Sequence, residues 1–126
     1  MIKKYLLRIK KLRSRKNFTI SIAESCTGGM ISSQLTSMSG SSDYFNGSII
    51  SYSNEFKNEL LDVPLNTISN HGAVSHQTAL RMVKGLSNKC DSNILISVTG
   101  VAGPNGGSKN TPIGCIYFGI GIKIKS

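Results

Sequence analysis

The sequence is poor in the residues that bind metals or staple a chain: of 126 residues, three are cysteine and two are histidine. Cys26, Cys90 and Cys115 are an odd number, and no two of them have the short spacing of a zinc or thioredoxin-type motif. A disulfide framework is thereby excluded, and a reduced, cytoplasmic protein is the expectation. His71 and His76 flank Gly72-Ala73-Val74 with no acid beside them. They read as helix-end residues rather than a metal pair, so neither metal nor cofactor is expected. No apolar run is long enough to cross a bilayer. Internal repeats, low-complexity tracts and a second domain are also missing, and one domain over residues 1–126, with one core, is expected.

Acidic residues are scarce in one place above all. Lys and Arg total 15 against six acids, a net charge of +9, yet eight of those cations precede Asn17 with no acid among them. The rest of the chain carries seven cations against six acids, so the basic character belongs to a single segment. Ile2, Tyr5, Leu6, Ile9 and Leu12 recur there at helical spacing, which predicts a helix whose apolar stripe packs on the core while its cations stay in water. Charges interrupt the apolar run too often for a secretory signal. A contact with an anionic membrane or with nucleic acid is the lesser reading of this helix, and nucleic acid is not the expected partner of the domain.

Further along, Phe18 to Ile22 reads as a strand running into Ala23-Glu24-Ser25-Cys26-Thr27-Gly28-Gly29, a tight glycine turn that opens a helix. Residues 37–42 read as a surface loop, and Ser48 to Tyr52 as a strand. Ser53 or Asn54 caps a helix to about Leu61, ended by Pro64, and Ser75 opens another that runs to about Lys89. Asn93 to Val98 is an unbroken apolar strand of the kind covered on both faces. The segment from Thr99 to Pro112 is long and glycine-rich, which marks a binding loop, and Ile113 to Ile124 supplies a last strand. Strands alternating with helices predict an α/β fold, a three-layer α/β/α sandwich around a central sheet. Ligands of such sheets lie beyond the strands' carboxyl ends, where the Ser25 turn, the Tyr52 to Lys57 turn and the Thr99 loop all emerge.

Ser25 stands at the hinge of the glycine turn, with the amides of Thr27, Gly28 and Gly29 placed to receive an oxyanion or phosphate. Cys26 is the rival nucleophile, although no histidine is near it in sequence. A serine needs a base, and the candidates are Lys57 and Glu24. An ordinary lysine is almost wholly protonated at neutrality, so Lys57 has to be desolvated or set beside another cation before it can act. Otherwise it is a solvated helix lysine. Tyr52 can bridge serine and lysine or simply stand at the surface. Glu24 fits a carboxylate fixing the turn better than a base, and Thr27 fits a helix cap as well as a ligand contact.

Taken together, the segments 23–29, Gly40-Ser41-Ser42, Ser51-Tyr52-Ser53-Asn54-Glu55 with Lys57, His71-Gly72-Ala73-Val74-Ser75, and Thr99-Gly100-Val101-Ala102-Gly103-Pro104 with Gly106-Gly107 and Pro112-Ile113-Gly114 resemble the CinA C-terminal domain family. The match runs in order from about Leu6 to Phe118. The resemblance implies an α/β/α sandwich, commonly a homodimer, with an activity similar to nicotinamide-nucleotide amidases. These hydrolyse nicotinamide mononucleotide to nicotinate mononucleotide and ammonia. By position it implies Ser25 as nucleophile and Tyr52 and Lys57 as its catalytic partners. It implies substrate contacts from Glu24, Thr27, Gly28 and Gly29 and from Thr99, Gly100, Ala102, Gly103, Gly106 and Gly107, with no metal.

Members of that family usually continue through a Gly-Asp-Arg motif and a long closing helix, and no residue here takes the role of that arginine. Apolar surface left uncovered on one face of the sheet, a homo-oligomer and marginal stability are the expectations. The competing functional expectation is a weak or inactive remnant that binds a nucleotide or another protein without turnover.

Overall fold

The computed structural model describes residues 1–124. The last two residues of the expected domain lie outside it. Helix α1 (Ile2–Arg15) precedes strand β1 (Ile20–Glu24), helix α2 (Met30–Thr36), a short 3₁₀ turn (Ser41–Asp43) and strand β2 (Phe45–Ile50). Helices α3 (Asn54–Leu61), α4 (Leu65–His71) and α5 (His76–Lys89) follow in succession, then strands β3 (Ile94–Gly100) and β4 (Ile116–Ile122).

The sheet order is β2-β1-β3-β4, with the first three strands parallel and β4 antiparallel. Every residue of β1 is buried, as expected of a central strand. Ala23 and Leu95 pack with Leu61, Ile68, Met82 and Leu86 under α3, α4 and α5. On the other face, Ile20 and Ile22 pack with Leu6 of α1, Leu35 of α2 and Tyr44. Helices on both faces make the three-layer α/β/α sandwich.

Sequence periodicity located most elements, with displaced ends. β1 lies two residues beyond its expected span and takes in Glu24, while β2 begins at Phe45 rather than Ser48. The last strand is confined to 116–122 because residues 113–115 turn back toward Val101, whose carbonyl accepts from the Gly114 amide at 2.6 Å. Pro64, expected to end a helix, caps the start of α4, whose span was not expected although His71 at its far end reads as a helix-end residue. A proline with its fixed φ and missing N–H suits a helix entrance as well as an exit. Ser53 and Ser75 cap as predicted, accepting from the amides of Phe56 at 3.0 Å and Thr78 at 3.2 Å.

β4 is two-sided. Gly119 and Gly121 alternate with Phe118, Ile120 and Ile122, which stand in register with Val98, Ile96 and Ile94. Ile94 and Ile96 belong to the face covered by α1 and α2, but that cover does not reach β4. Phe118, Ile120 and Ile122 are accordingly 61%, 67% and 72% exposed.

Candidate functional site

Glu24 ends β1 in register with Ile50 and Val98, β3 runs on two residues to Gly100, and beyond these ends opens a cavity of about 300 Å³. Ser25 and Cys26 enter it from the end of β1, and Tyr52, Asn54 and Lys57 from the start of α3. Ala73 and Val74 form the wall between α4 and α5, and the loop after β3 supplies Thr99 to Gly103, Asn105 and Gly106.

Ser25 is fixed by its own backbone, whose N–H donates to the Val98 carbonyl at 3.0 Å. Behind it, Glu24 is fully buried and turns away from the cavity. Its Oε1 accepts from Thr27 Oγ1 at 2.6 Å and from the amides of Gly29 and Ile31 at 3.1 Å each. Its Oε2 accepts from the Ser32 amide at 3.0 Å and from the Ser32 hydroxyl. Burial acts to raise the Glu24 carboxyl, but the hydrogen bonds from Ser32 and Thr27 and from the backbone of Ser32 and Ile31 outweigh it and hold the pKa below the ordinary value. Both oxygens are therefore engaged by the start of α2, and this carboxylate is not available as a base.

That clamp also changes which amides face the serine. The Gly29 amide is committed to Glu24 and the Gly28 amide donates to the Ser25 carbonyl at 3.1 Å. Among the described residues of this turn, the amides of Cys26 and Thr27 donate to no backbone carbonyl, and both lie against the Cys26 thiol. Thr27, expected as a cap or ligand contact, bonds Glu24, and Gly29 in the left-handed region (φ 104°) occupies the cap position of α2. Glu24, Thr27, Gly28 and Gly29 do not line the cavity.

Lys57 is 2% exposed, although it lies on a short surface helix. Its amine donates to the Tyr52 carbonyl at 3.0 Å. Burial pushes the Lys57 pKa down, against a smaller opposite pull from Cys26. The Cys26 thiol is raised by burial in spite of the nearby lysine, so it has none of the character of an activated thiolate. Tyr52 is 72% exposed at the mouth. Among the described residues no hydrogen bond joins Lys57 Nζ or the Tyr52 hydroxyl to Ser25 Oγ. Contacts of this kind commonly tighten only around substrate. Next to Tyr52, the Ser51 hydroxyl is buried without a partner.

In the loop, Thr99, Gly100, Ala102, Gly103 and Gly106 line the cavity, and Gly107 does not. A Cβ on Gly107 would stand 2.7 Å from the Ile113 amide nitrogen, so this glycine permits the loop to fold back on itself. Thr99 is buried and its hydroxyl donates to the Ala73 carbonyl at 2.8 Å, tying the loop to the α4–α5 turn. Asn54, Ala73, Val74, Val101 and Asn105 were not among the expected contacts. A signal for Ala73 and Val74 existed: a helix leading into a parallel strand runs antiparallel to it, so residues just before α5 must lie at the strands' carboxyl ends.

A serine and a buried lysine thus share one cleft at the carboxyl edge of a mixed sheet between two helical layers, which makes this an α/β/α domain. The chain belongs to the CinA family: the CinA C-terminal domain model matches residues 3–126. It is 47% identical over 112 residues to a CinA-like protein of Dictyoglomus thermophilum and 50% identical over 112 residues to one of Prochlorococcus marinus. Each alignment takes in 89% of this chain but only 27% and 26% of those proteins, so the chain spans about a quarter of their length. Among solved structures, the competence/damage inducible protein CihA from Agrobacterium tumefaciens matches with a TM-score of 0.93 at 37% identity, covering 97% of this chain and 74% of that one. A CinA superfamily protein from Escherichia coli matches with a TM-score of 0.90 at 27% identity, covering 98% and 72%.

Proposed function

We propose that this domain is an amidohydrolase acting on a pyridine nucleotide, converting nicotinamide mononucleotide to nicotinate mononucleotide and ammonia. The observation that carries the reading is the burial of the Lys57 amine in the cavity that also holds Ser25. A lysine is rarely buried without a reason, because the charged form resists desolvation. Here the result is an amine biased toward its neutral, proton-accepting form.

In this mechanism Ser25 Oγ attacks the carboxamide carbon and its proton passes to the Lys57 amine, directly or through the Tyr52 hydroxyl. The oxygen of the tetrahedral intermediate becomes negative and accepts from the amides of Cys26 and Thr27, which donate to no backbone carbonyl and exchange the weak thiol acceptor of Cys26 for the oxyanion. Collapse breaks the carbon–nitrogen bond, and the proton on Lys57 goes to the departing nitrogen as ammonia leaves. Water then attacks the Ser25 ester, giving up its proton to Lys57, and Lys57 returns that proton to Ser25 Oγ as the acyl–oxygen bond breaks and the acid is released to ionise as the carboxylate. The loop from Thr99 to Gly106 holds the nucleotide, with backbone amides toward phosphate or ribose. The homo-oligomer expected for the family finds support in the apolar strip on β4.

The test is ammonia release from nicotinamide mononucleotide by purified protein. Wild type is expected to release it and Ser25→Ala to release none while retaining its melting transition. A wild type that binds the nucleotide without releasing ammonia overturns the hydrolytic reading in favour of a binding module.

A further inference from the structure

Helix α1 packs on the sheet through a narrow stripe. Leu6 is buried and Ile9 half-buried against Ile20, Ile22 and their neighbours, and Arg13 leans inward to donate from Nε to the Asp43 carbonyl at 3.2 Å. The rest of the helix faces water. At about 100° per residue, Lys4, Arg8, Lys11 and Arg15 fall on the opposite side as one row. All four are exposed. The row is about 16 Å long at 1.5 Å per residue. Arg8, Lys11 and Arg15 also line a shallow groove with Leu12. Among the described residues no acid pairs with any of the four, and the helix contains none to screen them.

We infer that this outer row is a docking surface for the phosphate backbone of double-stranded nucleic acid, read without regard to sequence. Four exposed cations held in line on a rigid helix, with no acid paired to any of them among the described residues, complement a regularly spaced polyanion. A membrane surface fits less well. An interfacial helix needs one continuous apolar face to insert among lipids, whereas Leu6 and Ile9 pack on the core and the exposed Tyr5, Leu7 and Leu12 are divided between the two flanks of that stripe. A single strand also fits less well, since such sites offer aromatic rings for base stacking. The helix offers one aromatic, Tyr5, and the Arg8 guanidinium stands over one face of its ring, 5.7 Å from the centroid. No α1 residue lines the Ser25 cavity, so the surface is separate from the proposed chemistry.

The test is fluorescence anisotropy of the 126-residue protein with a labelled DNA duplex of about 20 base pairs, titrated from about 50 to 200 mM salt. With four phosphates neutralised, log K should fall against log salt with a slope of about −3.6, on the order of a hundredfold weakening over that range. The paired variants Lys4→Gln with Arg15→Gln, and Arg8→Gln with Lys11→Gln, should each halve that slope and leave the melting temperature unchanged. No retention at the lowest salt, an unchanged slope in both variants, or preferential binding to oligo-dT overturns the inference. So does tighter binding to vesicles of mixed phosphatidylserine and phosphatidylcholine, which would assign the row to membranes.

Discussion

The Lys57 amine donates to the carbonyl of Tyr52, five residues earlier, at 3.0 Å. This bond folds the lysine back over the first turn of its own helix and beneath the strand end. It also leaves the amine with one protein acceptor for three potential protons. A cation in that position is undersolvated, and this single arrangement bears on both the chemistry and the stability of the fold.

Replacing the lysine by an apolar side chain of similar length should separate those two effects. Lys57→Met is expected to abolish ammonia release and to stabilise the protein by about 1–2 kcal/mol, because it removes a buried charge with little loss of volume. The sign follows from linkage. The folded pKa is depressed below the unfolded value, so the wild type carries the full cost of the buried amine below its folded pKa and is relieved as pH rises toward the unfolded pKa. Urea denaturation of both proteins at neutral and alkaline pH checks this, and the difference between them should shrink as pH rises.

The same depressed pKa fixes the pH profile of turnover. Since the neutral amine is the active form, kcat/KM should rise with pH through the Lys57 pKa and level off, with its limb below that of an ordinary lysine. A pH–rate series with nicotinamide mononucleotide measures it directly. A limb at the ordinary lysine value, or no limb at all, removes Lys57 from the role of base.

Glu24 works in the opposite direction. Its carboxylate receives two hydroxyl and three amide hydrogen bonds at the start of α2, so Glu24→Gln, which cannot accept all of them, should cost about 2–3 kcal/mol. With its folded pKa lowered, the charged carboxylate contributes stability that is present above the unfolded pKa and lost as pH falls through the folded one. Acid titration of the melting temperature should therefore show a steeper fall for wild type than for Glu24→Gln. Because Glu24 shapes the turn that presents Ser25, the variant should also lose turnover even where it remains folded.

Much of this site could be read in the residues, and the limits have physical causes. The cap serines Ser53 and Ser75, the central strands and the loop after Thr99 carry local signals of hydroxyl caps, apolar runs and glycine, and the structure places them accordingly. The register of β1 was less legible, because Ala23-Glu24 looks like turn sequence until the amides of Ile31 and Ser32 are seen folding onto the carboxylate. That contact spans up to eight residues and has no periodic signature. Helix α4 was hidden by Pro64, which marks a helix start and a helix stop with the same letter. The burial of Lys57 was invisible for a related reason, since α3 is too short for periodicity to show which side of it faces the sheet.

Gly85 illustrates a constraint that no local rule suggests. It lies inside α5, where alanine would ordinarily gain about 1 kcal/mol in helix propensity. A Cβ there, however, would strike the Leu61 carbonyl oxygen and come within 2.6 Å of its carbon, because α5 and the end of α3 touch at this point. Gly85→Ala should consequently destabilise by about 1–3 kcal/mol, lowering the urea midpoint with an unchanged slope. A neutral or stabilising result would mean that the two helices separate freely there.

The strip on β4 leads to a prediction about assembly. Phe118, Ile120 and Ile122 present three large apolar side chains in a row on an edge strand that, among the described residues, pairs on one side only. Such an edge is a template for pairing, and removing apolar surface from water is worth about 25 cal/mol per Å². The 126-residue chain should therefore associate in a concentration-dependent way. Ile120→Lys should shift it toward monomer, because a charge at the centre of the strip cannot be buried against a partner without severe desolvation. With Ile120 already 67% exposed, the substitution should leave stability within about 0.5 kcal/mol of wild type, so a change in mass would not reflect unfolding. Sedimentation velocity across a range of concentrations distinguishes the outcomes. If wild type stays monomeric throughout, the strip does not drive self-association and the proposed homo-oligomer loses its structural basis.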